Sequence, residues 1–135
     1  MVQTLGLKAE PDLTYVLVNF AVLGKPSVEA TRAALGFLQA QGPERYLPLH
    51  LALFSLRGAV NGERAVAEAE RLGGDRKRII EAADSDRTTQ WMKDAFTLGN
   101  SLGFVATPSY LVASEAYVGG MTLEQKREAI ARARA

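Results

Sequence analysis

Cysteine is missing from this chain altogether, and histidine occurs once, at His50. Without a thiol there is no disulfide framework, no thiolate metal site and no cysteine nucleophile. A single histidine cannot supply a histidine pair to a metal, and no cofactor or metal site is read from the sequence. Neither sign of charge dominates: 16 Lys and Arg stand against 15 Asp and Glu, a formal net charge of +1. The densest basic run, Arg76-Lys77-Arg78, falls inside an expected helix and reads as a solvated face, not a nucleic-acid footprint. No stretch approaches the roughly 18 consecutive apolar residues of a membrane span. Met1 to Lys8 lacks the basic region and long apolar run of a secretory signal, so the chain as written is expected in the cytoplasm.

What is present suits a soluble domain. Hydrophobic residues make up 47% and charged residues 23% of 135 positions, enough apolar surface for a real core and far from the composition of disorder. The whole chain, 1–135, is expected to fold as one domain.

Thr14 to Leu23 (TYVLVNFAVL) has the clearest strand pattern. It is β-branched and aromatic, nearly continuous in apolar character, and ends at Gly24-Lys25-Pro26. Such a run predicts burial on both faces, as for a strand inside an α/β sheet. Helices follow. Ser27 is expected to cap one running to Gln41, closed by Gly42-Pro43. Pro43 to Leu56 is apolar and helical, with Pro48 in a first turn or at a kink. Asn61 caps a helix through Leu72, which Gly73-Gly74 ends, and a short helix spans Asp75 to Ala83. From Asp86 to Leu102, Trp91, Ala95, Leu98 and Leu102 recur at helical spacing, and Gly103 supplies the stop. The period then changes. Ser109–Ala113 and Ala116–Val118 read as two strands joined by a tight Ser114-Glu115 turn, and Thr122 with Gln125 forms a capping-box pattern opening a last helix.

The order strand, helices, hairpin, helix carries four recognisable pieces. They are Gly103-Phe104-Val105-Ala106-Thr107-Pro108 before the hairpin; Asn19 to Ser27 leading into Ala30-Thr31-Arg32-Ala33-Ala34-Leu35; Tyr46 with His50-Leu51-Ala52-Leu53-Phe54; and Tyr117-Val118-Gly119-Gly120 with Leu123 and Ile130. Together they resemble the DsbA-type disulfide oxidoreductases over about residues 13–134. The resemblance implies an α/β, incomplete thioredoxin-like fold with a helical insert at 27–102. It also implies a cis proline at Pro108, whose loop (Val105, Ala106, Thr107, Pro108) presents backbone groups to an extended peptide. The plainer reading of Thr107-Pro108 is that it only shapes the start of a strand.

The departure from that family is as informative as the match. Its members begin with a strand leading into Cys-x-x-Cys at a helix N-terminus, and about a dozen residues before Leu13 are too few for that unit. The resemblance places the missing strand between TYVLVNFAVL and SYLVA. Its loss is expected to be made good by Val2–Leu7 folding back, by the two flanking strands closing together, or by a second chain. We expect the last, as a homodimer.

Other residues admit a chemical and a structural reading. His50 reads as a packing histidine, and Asp84-Ser85-Asp86 as a helix-boundary cap, not calcium ligands. Trp91 and Phe96 read as packing between helices, not as the lining of a groove. Gly73-Gly74 and Gly119-Gly120 lack a phosphate-loop context, and Ser55, Ser101 and Ser109 lack a triad setting. No catalytic residue is named. The function read from the sequence is a redox-inactive binding or self-association module. The alternative is the C-terminal part of a longer, then periplasmic, DsbA-type oxidoreductase. A cysteine-independent enzyme, such as a glutathione-dependent isomerase, is the third reading; its catalytic serine would sit in the missing unit.

Overall fold

Small residues decide how the helices of this chain meet. The computed structural model describes Leu7 and residues 10–135. It forms two compact units, Asn19–Phe96, and Met1–Val18 together with Thr97–Ala135. The boundary at Phe96 falls inside a helix, Asp86–Ser101.

In Asn19–Phe96, helix α1 (Lys25–Gln41) is the element against which α2 (Pro43–Ser55), α3 (Gly62–Arg71) and α4 (Arg76–Ala83) pack. Its inner face is Ala33, Ala34, Leu35, Gly36 and Phe37, all buried. Gly36 lets α4 approach closely. A Cβ there would collide with the Ile79 carbonyl oxygen and lie 2.9 Å from the Ala83 nitrogen. Phe37 and Ile79, both wholly buried, fill the contact. Helix α5 (Asp86–Ser101) begins in this unit. Gln39 of α1 donates to the Ala82 carbonyl at 3.2 Å and to the Thr88 hydroxyl, and Thr88 donates to Ala82 at 2.8 Å. Thr88 is fully buried, so these bonds remove the penalty of an unpaired hydroxyl. Arg32 Nη2 donates to the Thr89 hydroxyl at 2.9 Å.

Three helix starts follow their sequence signals. The Asn61 side chain accepts from Arg64 N, Ser85 Oγ accepts from Thr88 N at 3.3 Å, and Thr122 and Gln125 form the full capping box. Ser27 does not cap α1. The helix begins at Lys25, with Gly24 before it and Pro26 in its first turn, because proline's fixed φ suits that turn and lets the helix start earlier. Pro48 lies inside α2, where its missing N–H removes one helix bond. Trp91 is half-buried, with the Arg87 guanidinium 5.2 Å from its ring, and Phe96, against Phe20 at 6.1 Å, is exposed.

The other unit holds β1 (Ser109–Val112), β2 (Glu115–Val118) and α6 (Leu123–Arg134). The strands are antiparallel, in the register Ser109↔Val118 to Val112↔Glu115. The loop is thus Ala113-Ser114, one residue earlier than the sequence pattern suggested. Arg134 Nη2 binds Glu10 at 3.0 Å and also Asp12, anchoring the end of α6 within this unit. The Arg134 hydrogen bond holds the Asp12 carboxyl below its usual range.

The segment Thr14–Leu23 forms no ladder with any described residue. Nor is it buried on both faces, since Val16, Val18 and Leu23 are exposed. An apolar run states a demand for burial; a strand also needs a partner, and none of the described residues supplies one. Closure of this segment onto β1 is likewise corrected: among the described residues β1 pairs only with β2. Of Val2–Leu7, only Leu7 is described, and it is buried; the expected fold-back otherwise lies outside the described residues. Among these no helix is long and apolar enough to cross a membrane.

The Gly36 contact gives a direct test. Gly36→Ala is expected to destabilise the protein by about 1–3 kcal/mol through overpacking, read as a lower urea midpoint with unchanged m-value.

Candidate functional site

The loop expected to carry function is set up by the end of α5. Phe104 N–H donates to the Gly99 carbonyl at 2.8 Å and Gly103 N–H to Asn100 at 3.0 Å. With Gly103 at φ 70°, these bonds form a Schellman stop, which needs a left-handed residue at that position. The chain is thereby turned out of the helix into Val105-Ala106-Thr107-Pro108.

The four residues are contiguous and accessible. Val105 is 83% exposed, Thr107 and Pro108 are exposed, and Ala106 is half-buried. The Thr107–Pro108 peptide bond is cis. Ser109 Oγ donates to the Ala106 carbonyl at 2.6 Å and pins the loop to the start of β1. Among the described residues, the backbones of Val105 and Thr107 make no hydrogen bond.

The strand that follows has two unlike faces. Tyr110 and Tyr117 are register partners and share one of them. Helix α6 covers that side: Lys126 Nζ stands 4.8 Å from the Tyr110 ring, and Arg132 Nη2 donates to the Tyr117 hydroxyl at 2.9 Å. Strand alternation puts Ser109, Leu111, Ala116 and Val118 on the other face, where Leu111, Ala116 and Val118 are exposed. This face bears no charge. The outer edge of β1 also has no ladder among the described residues. Sequence reading missed Leu111, Ala116 and Val118; the only signal was the alternation within each strand, which groups the three residues but does not say that α6 leaves their face open.

The remaining candidates do not join this loop into a chemical centre. His50 belongs to α2 of the helical unit and is 7% exposed. Asp84 closes α4 and Ser85 caps α5. Among the described residues no group of three His, Cys, Asp or Glu is placed to hold a metal ion. The loop can offer backbone donors and acceptors, aliphatic surface and no ionisable group. Such a surface suits binding by strand pairing more than bond-making chemistry.

The turn beside it is strained. Ala113, at φ 51°, takes the left-handed conformation that two-residue hairpin loops favour. Ala113→Gly is expected to stabilise the protein by about 1 kcal/mol, measured as a raised thermal or urea midpoint.

No protein-family model matches the sequence, and no curated protein matches it. Solved structures do. The chain is similar to a thioredoxin-like oxidoreductase from Silicibacter pomeroyi DSS-3, with TM-score 0.91 and 29% identity, over 99% of this chain and 76% of that one. It is also similar to the thiol-disulfide exchange protein alpha-DsbA2 from Wolbachia pipientis, with TM-score 0.86 and 21% identity, over 97% of this chain and 71% of that one.

Proposed function

The chain is a DsbA-like thioredoxin-fold protein with no thiol of its own, and from that premise we propose that it is a redox-inactive binding module. Its binding element is the Val105–Pro108 loop with the edge of β1 that no described residue pairs, and its ligand is an extended peptide segment. The observation that carries this reading is the unbonded backbone of Val105 and Thr107 directly before a strand whose outer edge has no described partner. An extended segment laid there gains main-chain hydrogen bonds and meets an uncharged aliphatic surface at alternate side chains. Thiol–disulfide exchange by the chain itself is excluded chemically, because exchange requires a thiolate.

Self-association belongs to the same proposal. A second copy can lay its own extended segment, or its β1, on this edge, giving the homodimer expected from the sequence. Strand β1 is only four residues long, about 13 Å. Edge pairing alone falls well short of the roughly 800 Å² per partner of a stable interface, so such a dimer needs the aliphatic face as well.

A second reading has a specific observation behind it. The chain covers 76% and 71% of the two oxidoreductase structures, so residues beyond this sequence are the place for a Cys-x-x-Cys unit that would use the present fold in thiol exchange. An in-frame Cys-x-x-Cys in the preceding DNA would favour it.

The binding proposal is tested by titrating ¹⁵N-labelled protein with uncharged, aliphatic extended peptides. Shifts should concentrate in residues 104–112 and at Val118, and Val105→Asp should weaken binding at least about tenfold. Shifts scattered elsewhere, or none, would sink the peptide reading. Light scattering over a range of concentrations separately decides between the 14.6 kDa chain and its dimer.

A further inference from the structure

Helix α2 buries a polar group that no described residue satisfies. Tyr46, Leu49 and His50 form its buried face. His50 is 7% exposed, and its Nε2 is buried with no hydrogen-bond partner among the described residues. The imidazole lies between two rings on the same helix, 5.8 Å from Tyr46 and 4.7 Å from Phe54. The Tyr46 end is fixed, since Asn19 Nδ2 donates to the Tyr46 hydroxyl at 2.5 Å. A neutral imidazole tolerates this apolar slot at the cost of one unpaired atom, but an imidazolium requires solvent or an anion.

No anion stands ready on the helices that pack against α2. On α1, Glu29 pairs with Lys25, and Arg32 is bonded to Thr89. On α3, Glu68 pairs with Arg71, Glu63 and Glu70 pair with Arg76 of α4, and Arg64 binds the carbonyls of Arg57 and Ala59. On α2 itself, Arg45 binds Gln41 and the Leu72 carbonyl, and Glu44 is exposed in the first turn. The flanking rings offer an imidazolium only a cation–π attraction. Burial outweighs it, and the His50 imidazole is held below its ordinary value.

We propose that His50 is an acid-sensitive latch, which holds α2 in the helical unit while neutral and releases it on protonation. The latch sits on the helix best suited to open, because Pro48, two residues before His50, already removes a backbone bond from the middle of α2. The sign follows from linkage. A base whose folded form resists protonation leaves stability intact above the unfolded value of about 6.5, and stability falls as pH drops below it. The chain has no other histidine, so the window between pH 7 and 5.5 reports on this side chain.

The test is urea unfolding of the full chain from pH 7.5 to 5.5, beside His50→Phe and His50→Gln, with amide exchange corrected for intrinsic rate. In the unsubstituted protein the unfolding constant is expected to rise by up to about tenfold per pH unit below about 6.5. Exchange in residues 43–56 should accelerate before that of the other helices. Both variants should be flat across the window, and if one fails to fold, the other decides. A flat profile in the unsubstituted protein would overturn the proposal. So would the same slope in a folded variant, or acceleration spread evenly over all the helices.

Discussion

A sheet of two four-residue strands does not hold itself together in water, and the unit that carries the candidate site is organised around that constraint. The hairpin needs a helix on at least one face, and α6 supplies it through Lys126 on Tyr110 and Arg132 on Tyr117. That helix in turn has a full capping box at its start, and at its end Arg134 is bound to Glu10 and Asp12. These surface ion pairs are individually weak; their effect is to fix where the helix lies, and so which hairpin face it covers. The consequence is an asymmetric hairpin, with tyrosines packed under α6 and Leu111, Ala116 and Val118 left outside. Stability and accessibility thus come from the same arrangement.

The helical unit solves a different problem. Its core is assembled around α1, and the limiting contact is the approach of α4 at Gly36, where backbone meets backbone and no side chain fits. Close packing of this kind is rigid. The Gln39–Thr88–Ala82 bonds then satisfy polar groups that the close approach buries. Helix α2 differs from its neighbours: it is interrupted by Pro48 and buries an unsatisfied imidazole. Within one unit, therefore, a contact too close for a Cβ lies beside a helix with a missing backbone bond and a buried nitrogen that no described residue partners.

How much of this was legible in the sequence depended on the range of the interactions. Local chemistry read well: the Asn61 cap, the Thr122–Gln125 box, the Gly103 stop and the glycine that closes α1 are each decided within about five residues. The DsbA-like fold was legible because four such local pieces occur in order. Errors came where distant partners decide the outcome. Thr14–Leu23 is apolar enough for a buried strand, yet strand character depends on a neighbour that sequence periodicity cannot name. The hairpin turn was displaced by one residue because Ala113, an unremarkable residue, adopts a conformation usually signalled by glycine. That displacement moves each cross-strand partner by two residues and leaves the faces unchanged; what the sequence does not tell is which face α6 covers. His50 was read as a packing residue, and its burial fits; the unpaired Nε2 depends on tertiary surroundings with no sequence signature.

The lack of cysteine also has a structural side. None of the contacts that define either unit depends on a thiol: they are helix packing at glycine and alanine, hydroxyl and amide bonds at helix junctions, and cation–ring contacts over a hairpin. A fold of this kind separates its scaffold from redox chemistry, because exchange needs only a thiolate presented at one place, whereas packing is distributed over the chain. Without a thiol in the chain, Val105, Thr107 and Pro108 still stand exposed before β1, the backbones of Val105 and Thr107 unbonded among the described residues. Peptide recognition by main-chain pairing requires nothing more reactive than those groups. On this argument, binding is the part of the oxidoreductase-like scaffold that can persist when its nucleophile does not.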